Sequence, residues 1–371
     1  MTSSSATTPA REPQLLDAAR RGDEGAFERL LRPYRSELQA HCYRMLGSVH
    51  DAEDAMQEAS LRAWRALGRF EGRASLRSWL YTIATNVCLN QIARRPKRVL
   101  PVDYGPATDP HAGPGEPVVE SVWIEPYPDE QLGLADGLAG PEARVEQREA
   151  VELAFVAALQ HLPATQRAVL ILREVLGFSA KETAEALETT TASVNSALQR
   201  ARAAVDERLP ERSQQATLRE IGDDELRALV DRYVDAWERN DVQTVVDMLA
   251  EDATFAMPPL ASWFGPKPEI AEFLAAFPLG GDWQWKTRVV RANGQPAIGY
   301  YAWDPEAKTH LPFALNVLTF RGREISDVVA FVVRSIEPTE REAYHRWVDQ
   351  PADDRRLEGT FARFGLPDRL D

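Results

Sequence analysis

The sequence predicts a multidomain protein with two all-α domains followed by one α+β domain. Three observations carry that prediction. Apolar residues recur at helical spacing from Leu15 to about Arg95, and again from Glu142 to about Leu209. A stretch rich in Pro, Gly and acids separates those two blocks. After Asp223 a pair of amphipathic helices gives way to β-type runs broken by turn residues, and six of the nine tryptophans lie in that third section. The expected layout is a disordered tail at 1–14, a helical domain at 15–97 and an acidic Pro/Gly-rich linker at 98–141. A second helical domain follows at 142–210, then the α+β domain at 211–350 and a tail at 351–371. A length of 371 residues suits two or three domains.

In the first block, Leu15, Leu16 and Ala19, then Phe27, Leu30 and Leu31, mark the opening helices. A helix follows from Tyr34 to Leu46. The next spans DAEDAMQEASLRAWRAL, where Ala55, Ala59, Leu61 and Trp64 can share a face and Asp51, Glu53 and Asp54 occupy the first turn, favoured by the helix dipole. The last runs from Leu76 to Arg94 on Trp79, Leu80, Ile83, Val87 and Ile92. Within the linker, Val122–Pro128 is an aromatic and proline cluster of the kind that folds onto a neighbour, and its prolines favour extended backbone.

In the second block, Leu162-Pro163 stops one helix and starts another, which ends at Gly177, a natural left-handed cap. Ser179 and Glu182 match a capping box. A break at Glu188–Thr190 precedes a final helix from about Thr191 to Leu209. Two helices joined by a short turn, the second ending basic at Arg200 and Arg202, describe a helix-turn-helix. Val194, Leu198, Ala201 and Val205 form its buried stripe, so Ser193, Asn195, Ser196, Gln199, Arg200 and Arg202 face outwards.

The net charge of -14 argues against nucleic acid until its distribution is read. Residues 61–100 hold nine Arg or Lys against one acid, whereas residues 101–160 hold two against twelve acids. The first block is a plausible phosphate-contacting face, because neutralising phosphates releases counterions. Cys42 and Cys88 are far apart and lack metal-ligand spacing, so neither a metal site nor a cofactor is expected. The start has no signal-peptide pattern and no apolar run reaches the length of a membrane span, so a cytoplasmic protein without a membrane partner is expected.

At this point the residues resemble a known family. The first domain is similar to region two of extracytoplasmic-function sigma factors, through Asp51-Ala52-Glu53-Asp54-Ala55, Gln57-Glu58, Trp79–Asn86 and Asn90–Arg95. The second resembles their region four, through Leu162-Pro163, Gln166-Arg167, Glu174, Gly177-Phe178-Ser179, Glu182-Thr183-Ala184 and Ser193–Ser196. The resemblance implies core RNA polymerase and promoter DNA as partners. It implies polymerase contacts from Asp51, Glu53, Asp54, Gln57 and Glu58. It implies upstream promoter contacts from Arg73, Arg77, Asn86, Asn90, Arg94, Arg95 and Lys97, with Asn90 standing where the family usually has Asp. Ser193, Asn195, Ser196, Gln199, Arg200 and Arg202 would read a major groove. Lys and Arg are common in the family where this chain has Asn195 and Ala197, so region four alone is expected to hold DNA weakly.

The third section resembles the NTF2-like, SnoaL-like cone fold also known from polyketide cyclases, through Asp252–Phe255, Asn316–Phe320 and Ile325–Val328. A subgroup of these sigma factors carries such a domain, thought to regulate them in cis. The aromatic-proline motif, with Trp123, Ile124, Pro126 and Tyr127 as docking residues, is that subgroup's other mark. Two alternatives stand beside this reading. One is a cyclase- or isomerase-type enzyme tethered to a DNA-binding module, with Asp247, Tyr300, Trp303 and His310 as candidates, although no titratable pair has a diagnostic spacing. The other is a helix-turn-helix repressor that never touches polymerase. An apolar cone could also bind a small ligand.

Overall fold

Caps written into the sequence help divide residues 12–92 of the computed structural model into five α-helices. The structure describes residues 12–115, 118, 122–132, 148–281, 283–333 and 354–371. Most of the tail expected at 1–14, the later linker, the start of the second helical block and the junction between the third domain and its tail lie outside the described residues. Helix α1 is Glu12–Arg20, so it begins inside the expected tail. Helix α2 is Glu24–Leu31, with the Asp23 carboxylate accepting the Ala26 N–H. Helix α3 is Arg35–Leu46 and closes on Gly47 in the left-handed region, at φ 69°. Helix α4, Val49–Ala66, is capped by Ser48, and α5, Leu76–Ile92, by Ser75.

The second helical block gives α6 (Leu153–Gln160), α7 (Ala164–Leu170, continued by a π turn through Val175), α8 (Ala180–Ala186) and α9 (Thr191–Asp206). Gly177 has φ 70°, and the Ser179–Glu182 capping box is present. The third block opens with α10 (Gln214–Ile221), α11 (Asp223–Glu238) and α12 (Val242–Asp247). It continues with β1 (Leu249–Ala256), β2 (Trp263–Phe264), α13 (Lys267–Ala276), β3 (Trp285–Ala292), β4 (Gln295–Asp304), β5 (Thr309–Arg321) and β6 (Glu324–Val332). The strands form one sheet in the order β2-β1-β6-β5-β4-β3, antiparallel except for the β1–β6 pair. Residues 354–371, expected as a tail, carry α14 (Asp354–Arg363) and pack on the sheet: Phe361 meets Tyr301 edge-on at 5.1 Å, and Leu370 bridges to His310.

The chain divides into two units, and the division does not follow the three sequence blocks. One unit is Met1–Arg95 with Gln131–Gly140 and Leu162–Ala203; the other is Pro96–Glu130 with Pro141–His161 and Ala204–Asp371. Linker residues 98–130 and α6, the first helix of the second block, therefore belong with the α+β domain. In the first unit α5 is buried around much of its circumference, at Leu76, Leu80, Tyr81, Ala84, Val87 and Cys88. In the second, one core joins α10 to α13 with one face of the sheet, through Tyr233, Trp237, Phe255, Phe273, Trp285, Tyr300 and neighbours.

Candidate DNA and polymerase surfaces and the linker clasp

The six outward residues of α9 lie where periodicity put them. Ser193, Asn195, Ser196, Gln199, Arg200 and Arg202 are all exposed, while Val194, Leu198, Ala201 and Val205 are buried. The Thr190 hydroxyl caps the helix by accepting the Ser193 N–H. Arg202 pairs with Glu174 at 2.7 Å. Ala197 is buried, so it is not a lost position on the exposed face; only Asn195 stands there without a charge.

The surfaces expected on α4 and α5 depart further from expectation. Asp51 was expected to meet polymerase and Arg95 to meet DNA, but the two are paired with each other, and Asp51 is only 2% exposed. The Ser48 cap pulls the first turn inwards, which buries Asp51. Asp54 and Gln57 are exposed, Glu53 is half-buried, and Glu58 holds Arg62 at 2.6 Å. Leu61 is 50% exposed and does not join the buried stripe with Ala55 and Ala59. On α5, Asn86 is half-buried and Asn90 exposed, four residues apart on one side. Arg94 is exposed, and Arg73 pairs with Glu71 at 2.6 Å. Lys97 donates to His161 Nδ1 at 2.7 Å.

Arg77 is engaged by the second helical block. Its guanidinium lies 4.9 Å from the Tyr81 ring centre and 5.1 Å from that of Phe178, and it donates to the Leu176 carbonyl at 3.4 Å. Next to it, Tyr81 and Phe178 meet edge-on at 5.5 Å. Arg167, 4% exposed, crosses between the same blocks by donating to the Met45 and Leu162 carbonyls. Burial lowers its pKa to about 10, which leaves it charged at neutral pH.

The aromatic-proline motif of the linker is buried: Trp123, Ile124, Pro126 and Tyr127 are each below a tenth exposed. Val99 pairs with Trp123 as a parallel bridge, and Arg98 donates to the Trp123 carbonyl at 2.6 Å. Tyr127 is gripped at two points by the β3–β4 hairpin: its N–H donates to Asn293 Oδ1 and its carbonyl accepts the Asn293 N–H, both at 2.8 Å. The Asn293 amide also donates to the Val151 carbonyl at 2.7 Å. The next residue, Gly294, has φ 72°, a left-handed conformation that favours glycine, and a Cβ there would crowd Gln215 Nε2 at 2.9 Å. Its N–H donates to Asp129 at 2.7 Å.

Two helices meeting at this hairpin cap each other's neighbourhood. Gln295 Oε1 accepts the Leu153 N–H that opens α6, at 3.0 Å. In return, the Glu152 carboxylate accepts the Gln214 and Gln215 N–H groups that open α10, at 3.0 and 2.7 Å. Burial raises the Glu152 pKa to about 7 against the pull of those two donors.

With this geometry in place, comparison with known proteins decides the family. Residues 30–98 match the model of sigma-70 region 2, residues 152–205 that of sigma-70 region 4, and residues 230–328 that of the SnoaL-like domain. The ECF RNA polymerase sigma factor SigG of Mycobacterium tuberculosis is 41% identical over 363 residues, spanning 95% of this chain and 86% of the relative. The chain belongs to the extracytoplasmic-function sigma factors. The RNA polymerase sigma-H factor of Pseudomonas aeruginosa is 31% identical over 54% of this chain and 95% of its own length. The crystal structure of the Mycobacterium tuberculosis sigma factor SigJ shares the fold, with a TM-score of 0.51 at 23% identity over 80% of this chain and 93% of that one.

In this sigma factor the four residues considered for catalysis are not brought together as one group, although Trp303 and His310 meet. Asp247 is exposed and accepts from Gln243 at 2.7 Å. His310 pairs with Leu370 through the backbone and stacks edge-on with Trp303 at 5.1 Å, whereas Tyr300 lies in the core facing α11. The residues missed from sequence were Asn293, Gln295, Glu152 and Arg167. An Asn-Gly pair between two β-type runs signals a tight hairpin. That signal gives the turn, but not the segments it holds.

Proposed function

We propose that the chain binds core RNA polymerase, directs it to promoters, and is regulated in cis by its third domain. The stripe Asp54, Gln57, Glu58 and Leu61 on α4 supports the polymerase contact. These residues recur at i, i+3, i+4 and i+7, so acids and an amide surround one exposed leucine. The free end of α5, with Asn86, Asn90 and Arg94, and the outer face of α9 support the promoter contacts. That work belongs in the cytoplasm; among the described residues no helix is long and apolar enough to cross a membrane. The scatter of Asp247, Tyr300, Trp303 and His310 favours a regulatory third domain over a catalytic one.

The observation that carries cis regulation is Asn293. One buried side chain holds the linker at Tyr127 and the start of region four at Val151. A hairpin of the third domain thereby governs the path of the chain between the two DNA-reading regions. Run-off transcription with core polymerase tests this, comparing the native chain with Asn293→Gly. Glycine keeps the positive φ of 55° without strain and removes only the side-chain bonds. A severalfold change in transcript is expected, and equal transcription by the two proteins would refute the reading. Truncation after Leu209 is a coarser test, because it also strips the caps from α6.

A further inference from the structure

The third domain contains a chamber that neither its packing nor the clasp uses. Its volume is about 200 Å³, and its walls include Met257, Phe273, Phe277, Trp283, Trp285 and Phe313. Trp283 and Trp285 stack at 5.1 Å with their planes 9° apart, and Phe313 stands edge-on to Trp285 at 5.1 Å. Five of those groups are aromatic, so the chamber presents flat ring faces and ring edges. A dry, apolar cavity of about 150 Å³ is already enough to hold benzene. The size therefore suits a single substituted ring.

The chamber leads to a smaller end of about 20 Å³, between Trp237, Tyr300, Ala314, Asn316 and Ala330. That volume is about one water, or one hydroxyl. Strand register explains the space: Asn316 lies opposite Ile298 on β4 and Ala330 on β6, and Ala314 lies opposite Tyr300, so two alanines flank the amide. Asn316 is 2% exposed and its Oδ1 has no hydrogen-bond partner among the described residues. A buried acceptor left without a donor is costly, so its retention at the end of an aromatic chamber calls for a partner.

We infer that this chamber is a receptor site for a hydroxylated single-ring aromatic molecule, its ring between Trp285 and Phe313 and its hydroxyl donating to Asn316 Oδ1. The wall residue Phe277 connects the site to the linker. A Cβ at Gly113 would lie 3.1 Å from Phe277 Cζ, so the linker backbone rests directly on that ring. On either side of this contact His111 faces Glu272 at 3.5 Å and the Ser262 hydroxyl donates to the Pro114 carbonyl. A ring entering the chamber presses on Phe277 and through it on residues 111–114, which changes how firmly the linker is held.

The test uses the full chain and two probes of nearly equal shape, 4-ethylphenol and ethylbenzene. Saturable quenching of tryptophan fluorescence by 4-ethylphenol is expected, with ethylbenzene at least tenfold weaker. Asn316→Leu should abolish that preference while leaving ring binding in place. Hydrogen exchange of the amides at 111–113 and 115 should change at least threefold when 4-ethylphenol is bound. Absence of saturable binding by the native chain, or equal binding of the two probes to it, overturns the site without any appeal to the variant. Unchanged exchange in the linker at saturation overturns the coupling. None of these readouts involves transcription, so their failure is separate from failure of the sigma-factor reading.

Discussion

Helices α5 and α9 both carry residues expected to meet DNA, and they differ in how much of that surface the folded chain has already engaged. Helix α9 buries one stripe, at Val194, Leu198, Ala201 and Val205, and leaves all six of its polar candidates exposed, with Arg202 paired to Glu174. Helix α5 is packed on more sides. Arg77 is held between aromatic rings, and Arg95, just past its end, is taken by Asp51. A one-sided amphipathic helix can be read outward from its buried stripe. For a helix enclosed by α3, α4, α7 and α8, periodicity says which residues are polar, but not which of them another part of the chain will claim.

The largest effect is expected from removing a bond that ties the two helical blocks together. Arg167→Met leaves the Met45 and Leu162 carbonyls without their charged donor and should destabilise the chain by about 3 kcal/mol. Chemical denaturation should show the loss in probes on both helical blocks at once. A loss confined to the second block would mean that α5 is not held as described. Next in size is a pH effect at the α6–α10 joint. Glu152 has a folded pKa of about 7 against an ordinary value of 4.5. Between those values the folded chain keeps a proton that the unfolded chain has lost, so stability falls as pH rises and levels off above about 7. The loss should be on the order of 2 kcal/mol between pH 5 and pH 8. Melting curves of Glu152→Gln should lose this slope; the same slope in the variant would assign it to other groups.

The helical blocks were legible from their hydrophobic period, and several helix starts carry a side-chain cap as well. Asp23, Ser48, Ser75 and Ser179 each cap a helix within a few residues of where the hydrophobic period begins. Strands β3 to β6 were legible from alternating runs, but α10, α13 and the short β2 were not, being short or lacking a clear stripe. The candidate site divides the same way. The α9 face depends on one helix and its period, so sequence suffices. The clasp depends on Asn293 meeting Tyr127 and Val151 across separations of more than 140 residues, and no local pattern encodes such a meeting. Arg95 was expected at promoter DNA from its charge and the resemblance, and its partner Asp51, more than 40 residues earlier, is not signalled by any local pattern.

A smaller effect tests whether the α5 face is held rather than merely covered. Arg77→Ala removes two ring contacts, one long hydrogen bond and a 3.7 Å ion pair with Glu37, for a cost of about 1 kcal/mol. Faster hydrogen exchange at Phe178 and through α8 should accompany it, and unchanged exchange would show that Arg77 adds nothing to the packing of region four on region two.

The smallest stability effect belongs to α4, where the expected contrast lies in binding instead. The Glu58–Arg62 pair is half-exposed at both ends, and such pairs contribute little because water and salt screen them. Glu58→Ala should therefore change stability by less than about 0.5 kcal/mol. The same side chain belongs to the stripe with Asp54, Gln57 and Leu61, where a charge-assisted contact to a basic partner would be made. Affinity for core polymerase should fall about tenfold at low ionic strength, and the difference from the native chain should shrink as added salt screens the contact. Equal affinity at all salt concentrations would remove Glu58 from the interface and leave Asp54 and Gln57 to carry it. A fall in affinity that ignores salt would point to lost packing around Leu61, because only the electrostatic part of the contact is screened.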